Sequence, residues 1–177
     1  TYLKKGLQLK DARPTSGKVL QALFNILGDI RGCSFLDLFS GTGRVARFAV
    51  DRGASPVAAV EILGARAADI KKLFRNDRDA IVLTMDVRRG ISWLRRKGYL
   101  FDIIFADPPY GAGWPLILGD ILTPPEGGVL SEEGLIVIEH SVREEVKTGN
   151  EFVITDRREY GDTVLTFLRK ARRGGEG

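Results

Sequence analysis

Five apolar stretches, SFLDLF (34–39), PVAAVE (56–61), AIVLTMD (80–86), FDIIFAD (101–107) and GLIVIEH (134–140), alternate along the chain with segments of helical periodicity. Each is too short for a helix of its own, and each of the first three is followed by one: RVARFAVDRG (44–53), GARAADIKKLF (64–74) and VRRGISWLRRK (87–97). A further helix is expected from Trp114 to Leu122. Ahead of the first strand, Thr15 or Ser16 caps a helix whose apolar positions Val19, Leu20, Leu23, Phe24, Ile26 and Leu27 fall on one side, with Gly28 as its stop. Near-continuous apolar strands alternating with helices predict an α/β fold, a mostly parallel sheet covered on both faces. The last two strands differ. EFVITDRREY and DTVLTFLRK flank a tight turn at Gly161, so they predict an antiparallel hairpin at the edge of a seven-stranded sheet.

At 177 residues, 44% of them hydrophobic and 28% charged, the chain suits a single domain spanning 1–177. Its net charge of +4 is unevenly placed. Residues 1–18 carry +4 and residues 157–177 carry +3, around a middle of −3. Two basic ends on an acidic body suit a polyanionic partner, and equally suit solvated termini. Residues 1–14 read as a basic N-terminal segment and 170–177, ending RRGGEG, as a tail that frays. The single Cys33 forms no internal disulfide and is expected in the core. No metal site is expected, since no Cys/His cluster has ligand spacing, and the chain shows no apolar run long enough for a membrane span. A cytoplasmic location follows as an expectation.

In sheets of this kind ligands bind at the carboxyl ends of the strands. There the sequence places Asp37 and the turn Ser40-Gly41-Thr42-Gly43 after strand one, Glu61 after strand two, Asp86 after strand three, Asp107 after strand four, and Glu139-His140 after strand five. Any one of these carboxylates is explained by a helix cap or a turn; the run of them is not. The turn GTGRVA also satisfies a dinucleotide-binding pattern, with Glu61 eighteen residues past Gly43. Against a nicotinamide enzyme stands Asp37, whose charge inside the strand repels a pyrophosphate and attracts a cation.

The order DLFSGTG, VE, MD and "FADPPYG" (105–111) resembles the class I S-adenosylmethionine-dependent methyltransferases, whose [DN]PP[YF] members methylate exocyclic or amide nitrogens. "RPTSGKVLQALFNIL" (13–27), just ahead of the glycine turn, is similar to the RsmD family of bacterial 16S ribosomal RNA guanine-N2 methyltransferases. The resemblance runs from Arg13 to the end of the sheet and implies a Rossmann-like fold, S-adenosyl-L-methionine as cofactor, and ribosomal RNA or an assembling small subunit as partner. It implies that Asp37 faces the cofactor's amino group, that Gly41 and Gly43 let the backbone approach, with Ser40 and Thr42 as positioning residues, that Glu61 accepts the ribose hydroxyls, and that Asp86 and the Val87 backbone receive adenine.

For catalysis it implies Asp107 and the Pro108 carbonyl as acceptors that grip a substrate amine and aim its lone pair, with Tyr110 as a face on which the base stacks. Pro108 and Pro109 stiffen the turn. Among substrate-lining candidates, Arg13 meets phosphate or the cofactor carboxylate, or is a surface residue; Trp114 is a second stacking platform or a core anchor; His140 is structural or lines the substrate. The same acceptors serve adenine N6 or a protein glutamine, and a noncatalytic RNA-binding module would keep the fold. Arg44 stands where the family more usually has a small residue.

Overall fold

A computed structural model describes residues 15–172. Helix α1 (Gly17–Leu27) begins at Ser16, whose Oγ accepts from the Val19 amide at 3.2 Å, and ends at Gly28. Ser16 therefore takes the capping role, and Thr15 is left for other work. There follow β1 (Phe35–Leu38), α2 (Arg44–Asp51), β2 (Val57–Val60), α3 (Gly64–Leu73), β3 (Ala80–Leu83), α4 (Val87–Arg96), β4 (Phe101–Ala106), α5 (Trp114–Ile121), β5 (Leu130–Ser141), β6 (Phe152–Tyr160) and β7 (Thr163–Lys170).

The seven strands form one sheet in the order β3-β2-β1-β4-β5-β7-β6. β1 to β5 pair in parallel, and β7 runs antiparallel to both β5 and β6. The fold class is the expected one: mostly parallel, helices on both faces, with a C-terminal hairpin. β5 is longer than its apolar stretch, because Leu130 already pairs with Phe101 before a register shift ahead of the Ile103–Leu135 pair. β7 continues through Lys170, and the Ala171 amide still bonds the Glu151 carbonyl, so ordered pairing reaches into the segment expected to fray. Residues 173–177 of that tail, and the basic segment 1–14 with Arg13, lie outside the described residues.

Strand alternation divides the core in two. Phe35, Val57, Ala59, Ile103, Phe105, Val137, Leu165 and Phe167 pack with residues of α1, α2 and α3. Leu36, Leu38, Ala58, Val60, Ile104, Ala106, Ile136 and Ile138 pack on the other face with α4 and α5. The side-chain period of two then fixes where the strand-end carboxylates go. Asp37 follows Phe35, Glu61 follows Ala59, Asp107 follows Phe105 and Glu139 follows Val137, so all four belong to the α1–α3 face. Their strands β2, β1, β4 and β5 are consecutive in the sheet, and the carboxylates line its carboxyl edge as a row.

Candidate active site

Asp37 sits between Ala59 and Phe105 in register and is 1% exposed. Its Oδ2 accepts from Ser40 Oγ at 2.8 Å and from the Ala46 amide, inside the first turn of α2, at 3.2 Å. Oδ1 takes no such bond among the described residues. Burial pushes the Asp37 carboxyl up to about 7, and the charges of Glu61 and Glu139 add to that against its two hydrogen bonds. A ligand ammonium at Oδ1 would restore the ionised form.

Glu61 uses both oxygens on the backbone: Oε1 accepts from Gly41 at 3.0 Å and Oε2 from Leu63 at 2.9 Å. The carboxylate thereby holds the glycine turn against the start of α3, and each oxygen keeps a lone pair for a ligand hydroxyl. The two glycines of the turn differ in kind. At Gly41 (φ +59°) a Cβ would meet nothing closer than the Phe39 carbonyl at 3.9 Å, so the space beside it is open. At Gly43 (φ +77°) a Cβ would lie 2.9 Å from Ile70 of α3. The reason for Gly43 lies inside the protein, in the seating of α2 on α3. Thr42 is exposed, and its hydroxyl makes no hydrogen bond among the described residues. Asp86 lies three residues beyond β3 and caps α4, its Oδ1 accepting from Arg89 at 3.1 Å. Val87 is the first residue of that helix; its side chain is buried, and its amide is one of those left without an intrahelical partner.

At the end of β4, Asp107 is half-buried, Pro108 buried, and Pro109 and Tyr110 exposed, Tyr110 by 52%. A stiff acidic turn with a free aromatic face is the result. Asp107 is not alone there. The Thr15 hydroxyl lies 3.2 Å from Asp107 Oδ2 and 2.9 Å from Glu139 Oε2, although the three residues come from three distant parts of the chain. Burial raises the Asp107 carboxyl well above its ordinary value, with the Glu139 charge next in weight; Glu139 itself is pushed up to about 7, again by burial. The sequence gives Thr15 no part in the site and Glu139 no specific role in it. Glu139 was visible as a strand-end acid, but Thr15 looked like a helix cap.

Trp114 and His140 are tied into the protein. The Trp114 ring meets Phe39 edge-on at 4.9 Å between centroids and carries the Arg88 guanidinium at 5.2 Å. His140 lies on β5 with its side chain opposite to that of Glu139. It is 2% exposed, with Nδ1 2.8 Å from the Ser141 carbonyl and Nε2 2.7 Å from Thr166 Oγ1. The carbonyl fixes the proton on Nδ1, Nε2 accepts from Thr166, and burial lowers the imidazole pKa. Arg44, out of pattern in sequence, donates from Nη1 to the Thr15 carbonyl at 3.3 Å and so anchors the segment that enters the site. The loop after β5 closes the other side: Glu144 accepts from the amides of Ser141 (3.1 Å) and Gly111 (3.3 Å).

Among the described residues no group of His, Cys, Asp and Glu is placed to hold a metal ion, and no helix is long and apolar enough to cross a membrane. Buried acceptors at Asp37 and Glu61 beside the open space at Gly41 fit a ligand that presents an ammonium and a diol. S-adenosylmethionine has both.

Known proteins resemble this chain in sequence and fold. YlbH of Bacillus subtilis (strain 168), by its name a candidate rRNA methyltransferase, is 30% identical over 94% of this chain and 95% of its own. Ribosomal RNA small subunit methyltransferase D of Escherichia coli (strain K12) is 29% identical over 77% of this chain and 68% of its own. The solved structure of yhhF from Escherichia coli, titled a candidate methyltransferase, matches with a TM-score of 0.76 at 26% identity, covering 91% of this chain and 89% of that one. The family described as "Conserved hypothetical protein 95" matches residues 3–169, and the chain belongs to it.

Proposed function

We propose that the protein is an S-adenosylmethionine-dependent N-methyltransferase of small-subunit ribosomal RNA, acting on the exocyclic N2 of guanine. The observation that carries this reading is Asp107 with Pro108: two acceptors on a turn stiffened by two prolines, one strand away from the Asp37, Gly41 and Glu61 cradle. The rRNA methyltransferases named above support the substrate class.

The cofactor supplies a methyl group on a positively charged sulfur. Asp37 binds its ammonium, Glu61 its ribose hydroxyls, the Gly41 backbone lies against it, and Asp86 and the Val87 amide receive the adenine. An aromatic amine is a weak nucleophile, because its lone pair is shared with the ring. Asp107 and the Pro108 carbonyl each take an N–H bond of that amine, which favours a pyramidal nitrogen and points the lone pair at the methyl. Tyr110 offers its exposed face to the base, worth about 1–3 kcal/mol for a stacked base. Trp114, held between Phe39 and Arg88, serves as a wall of the site.

The test is transfer of a labelled methyl to small ribosomal subunits that lack their base methylations, followed by digestion to nucleosides. Label in N2-methylguanosine is expected. Label in N6-methyladenosine would keep the mechanism and overturn the base; label in protein alone would overturn the RNA substrate.

A further inference from the structure

The Thr15 hydroxyl has one proton and two carboxylates within reach, Glu139 at 2.9 Å and Asp107 at 3.2 Å. With both acids ionised, it can donate to one only. The other would then turn a charged oxygen toward the lone pairs of Thr15 in a site where Glu139 is 4% and Thr15 6% exposed. Adding one proton to the carboxyl pair removes the conflict, because the chain carboxyl, hydroxyl, carboxylate then puts a proton between Asp107 Oδ2 and Thr15 Oγ1 and another between Thr15 Oγ1 and Glu139 Oε2. Among the described residues no lysine or arginine pairs with either acid.

Among the described residues, the acids and the phenol around the pair add negative charge or none, and the Arg44 cation lies nearby. Asp37 faces it from β1, and Tyr110 from the β4–α5 loop; Glu144, on the loop after β5, holds Gly111 beside Tyr110. Arg44, at the start of α2, spends its contact on the Thr15 carbonyl, not on a carboxylate.

Resting on the proposed amine methylation, we propose that Glu139 is the proton reserve of the site: through the Thr15 hydroxyl it takes up the proton that Asp107 must release to receive the substrate amine. Before substrate, the Asp107 carboxyl donates to Thr15 Oγ1 and Thr15 donates to Glu139. When an amine N–H approaches Asp107, the Asp107 proton passes to Thr15 Oγ1 as the Thr15 proton passes to Glu139. Asp107 is now the ionised acceptor, held by Thr15, and Glu139 is neutral. The amine nitrogen then forms its bond to the methyl carbon as the carbon–sulfur bond breaks with its electrons on sulfur. The nitrogen returns to neutrality by giving a proton to Asp107. The pair then holds two protons, and one leaves to solvent. Glu139 is a positioning residue in this scheme, and Thr15 is its link to Asp107.

Two near-isosteric substitutions pull the Asp107 carboxyl in opposite directions. Glu139→Gln removes the neighbouring charge and leaves a permanent donor toward Thr15, so the midpoint of Asp107 falls, by about one pH unit or more. Thr15→Val removes the hydroxyl bond, so the midpoint rises; Thr15→Ser keeps the hydroxyl and restores it. The midpoint is read from the Asp107 carboxyl carbon by NMR on the cofactor-free protein, and the acid limb of kcat/KM for methyl transfer is expected to move with it in each variant. Thermal unfolding of each variant accompanies the titration. An Asp107 midpoint that stays put in both Glu139→Gln and Thr15→Val, or moves the same way in both, overturns the proton reserve. Wild-type protein that transfers no methyl to RNA overturns the proposed function instead, and the NMR titration decides the reserve independently.

Discussion

The ring of Phe39 stands edge-on to Trp114, 4.9 Å between centroids, although Phe39 leads into the glycine turn after β1 and Trp114 opens α5 behind the acidic proline turn. Phe39 holds a φ of +58°, a conformation that costs a non-glycine residue about 1–3 kcal/mol. The contact joins the loop beside Gly41 to the loop beside Asp107, so an aromatic pair bridges the two halves of the site beyond the paired strands β1 and β4. Trp114→Ala is expected to lower stability by about 3 kcal/mol and to weaken S-adenosylmethionine binding as well, because Phe39 loses what holds it. Denaturant unfolding and calorimetric titration check both, and Trp114→Phe should recover most of each.

The two glycines of the turn separate stability from binding. Gly43→Ala forces a Cβ toward Ile70 in a left-handed conformation and should cost about 2 kcal/mol or more in unfolding free energy. Gly41→Ala meets only open space, so its unfolding penalty is the smaller of the two, while its cofactor affinity falls. Unfolding midpoints and cofactor titrations on the pair give the comparison.

Asp37 and Glu139 make stability depend on pH. Both carboxyls are held up to about 7 in the fold. A carboxyl raised in this way keeps its proton in the folded state where the unfolded chain, with a value of about 4, has lost it. The folded protein is therefore favoured most at low pH within this window, and its stability falls as pH rises from about 4 to about 7. Cofactor binding runs the other way, since an ammonium prefers the ionised Asp37: affinity should rise through neutral pH with release of a proton. Titrations in two buffers of different ionisation enthalpy read that proton, and Asp37→Asn should abolish it.

His140 supplies the contrasting case. Both its nitrogens are engaged away from the carboxylate row, and burial keeps it neutral. His140→Gln should lower the melting temperature yet leave the acid limb of methyl transfer in place, as a pH–rate profile would show.

Much of this was legible in the chain itself. The mostly parallel sheet and the acids at the strand ends, Asp37, Glu61 and Asp107, follow from alternation with period two and from helices long enough for parallel crossovers, whereas the order of the strands across the sheet does not. What the sequence hides is any relation made only by folding. Thr15 and Glu139 are 124 residues apart, and a threonine beside a serine at a helix start reads as a cap until the geometry gives that task to Ser16. Gly43 likewise looks like a ligand-facing glycine until Ile70 is seen against it, and Arg44 looks out of place until it is found holding the Thr15 carbonyl.

The central claim is that Asp107 holds the amine that is methylated, and a single-turnover assay with Asp107→Ala tests it most directly. Enzyme loaded with labelled S-adenosylmethionine is mixed with small ribosomal subunits lacking base methylation, and label in N2-methylguanosine is followed in time, with cofactor affinity measured separately. The predicted result is near-normal cofactor binding with transfer slowed by about 100-fold or more, the scale on which loss of one preorganised polar group is felt. Transfer at the wild-type rate by Asp107→Ala would contradict it.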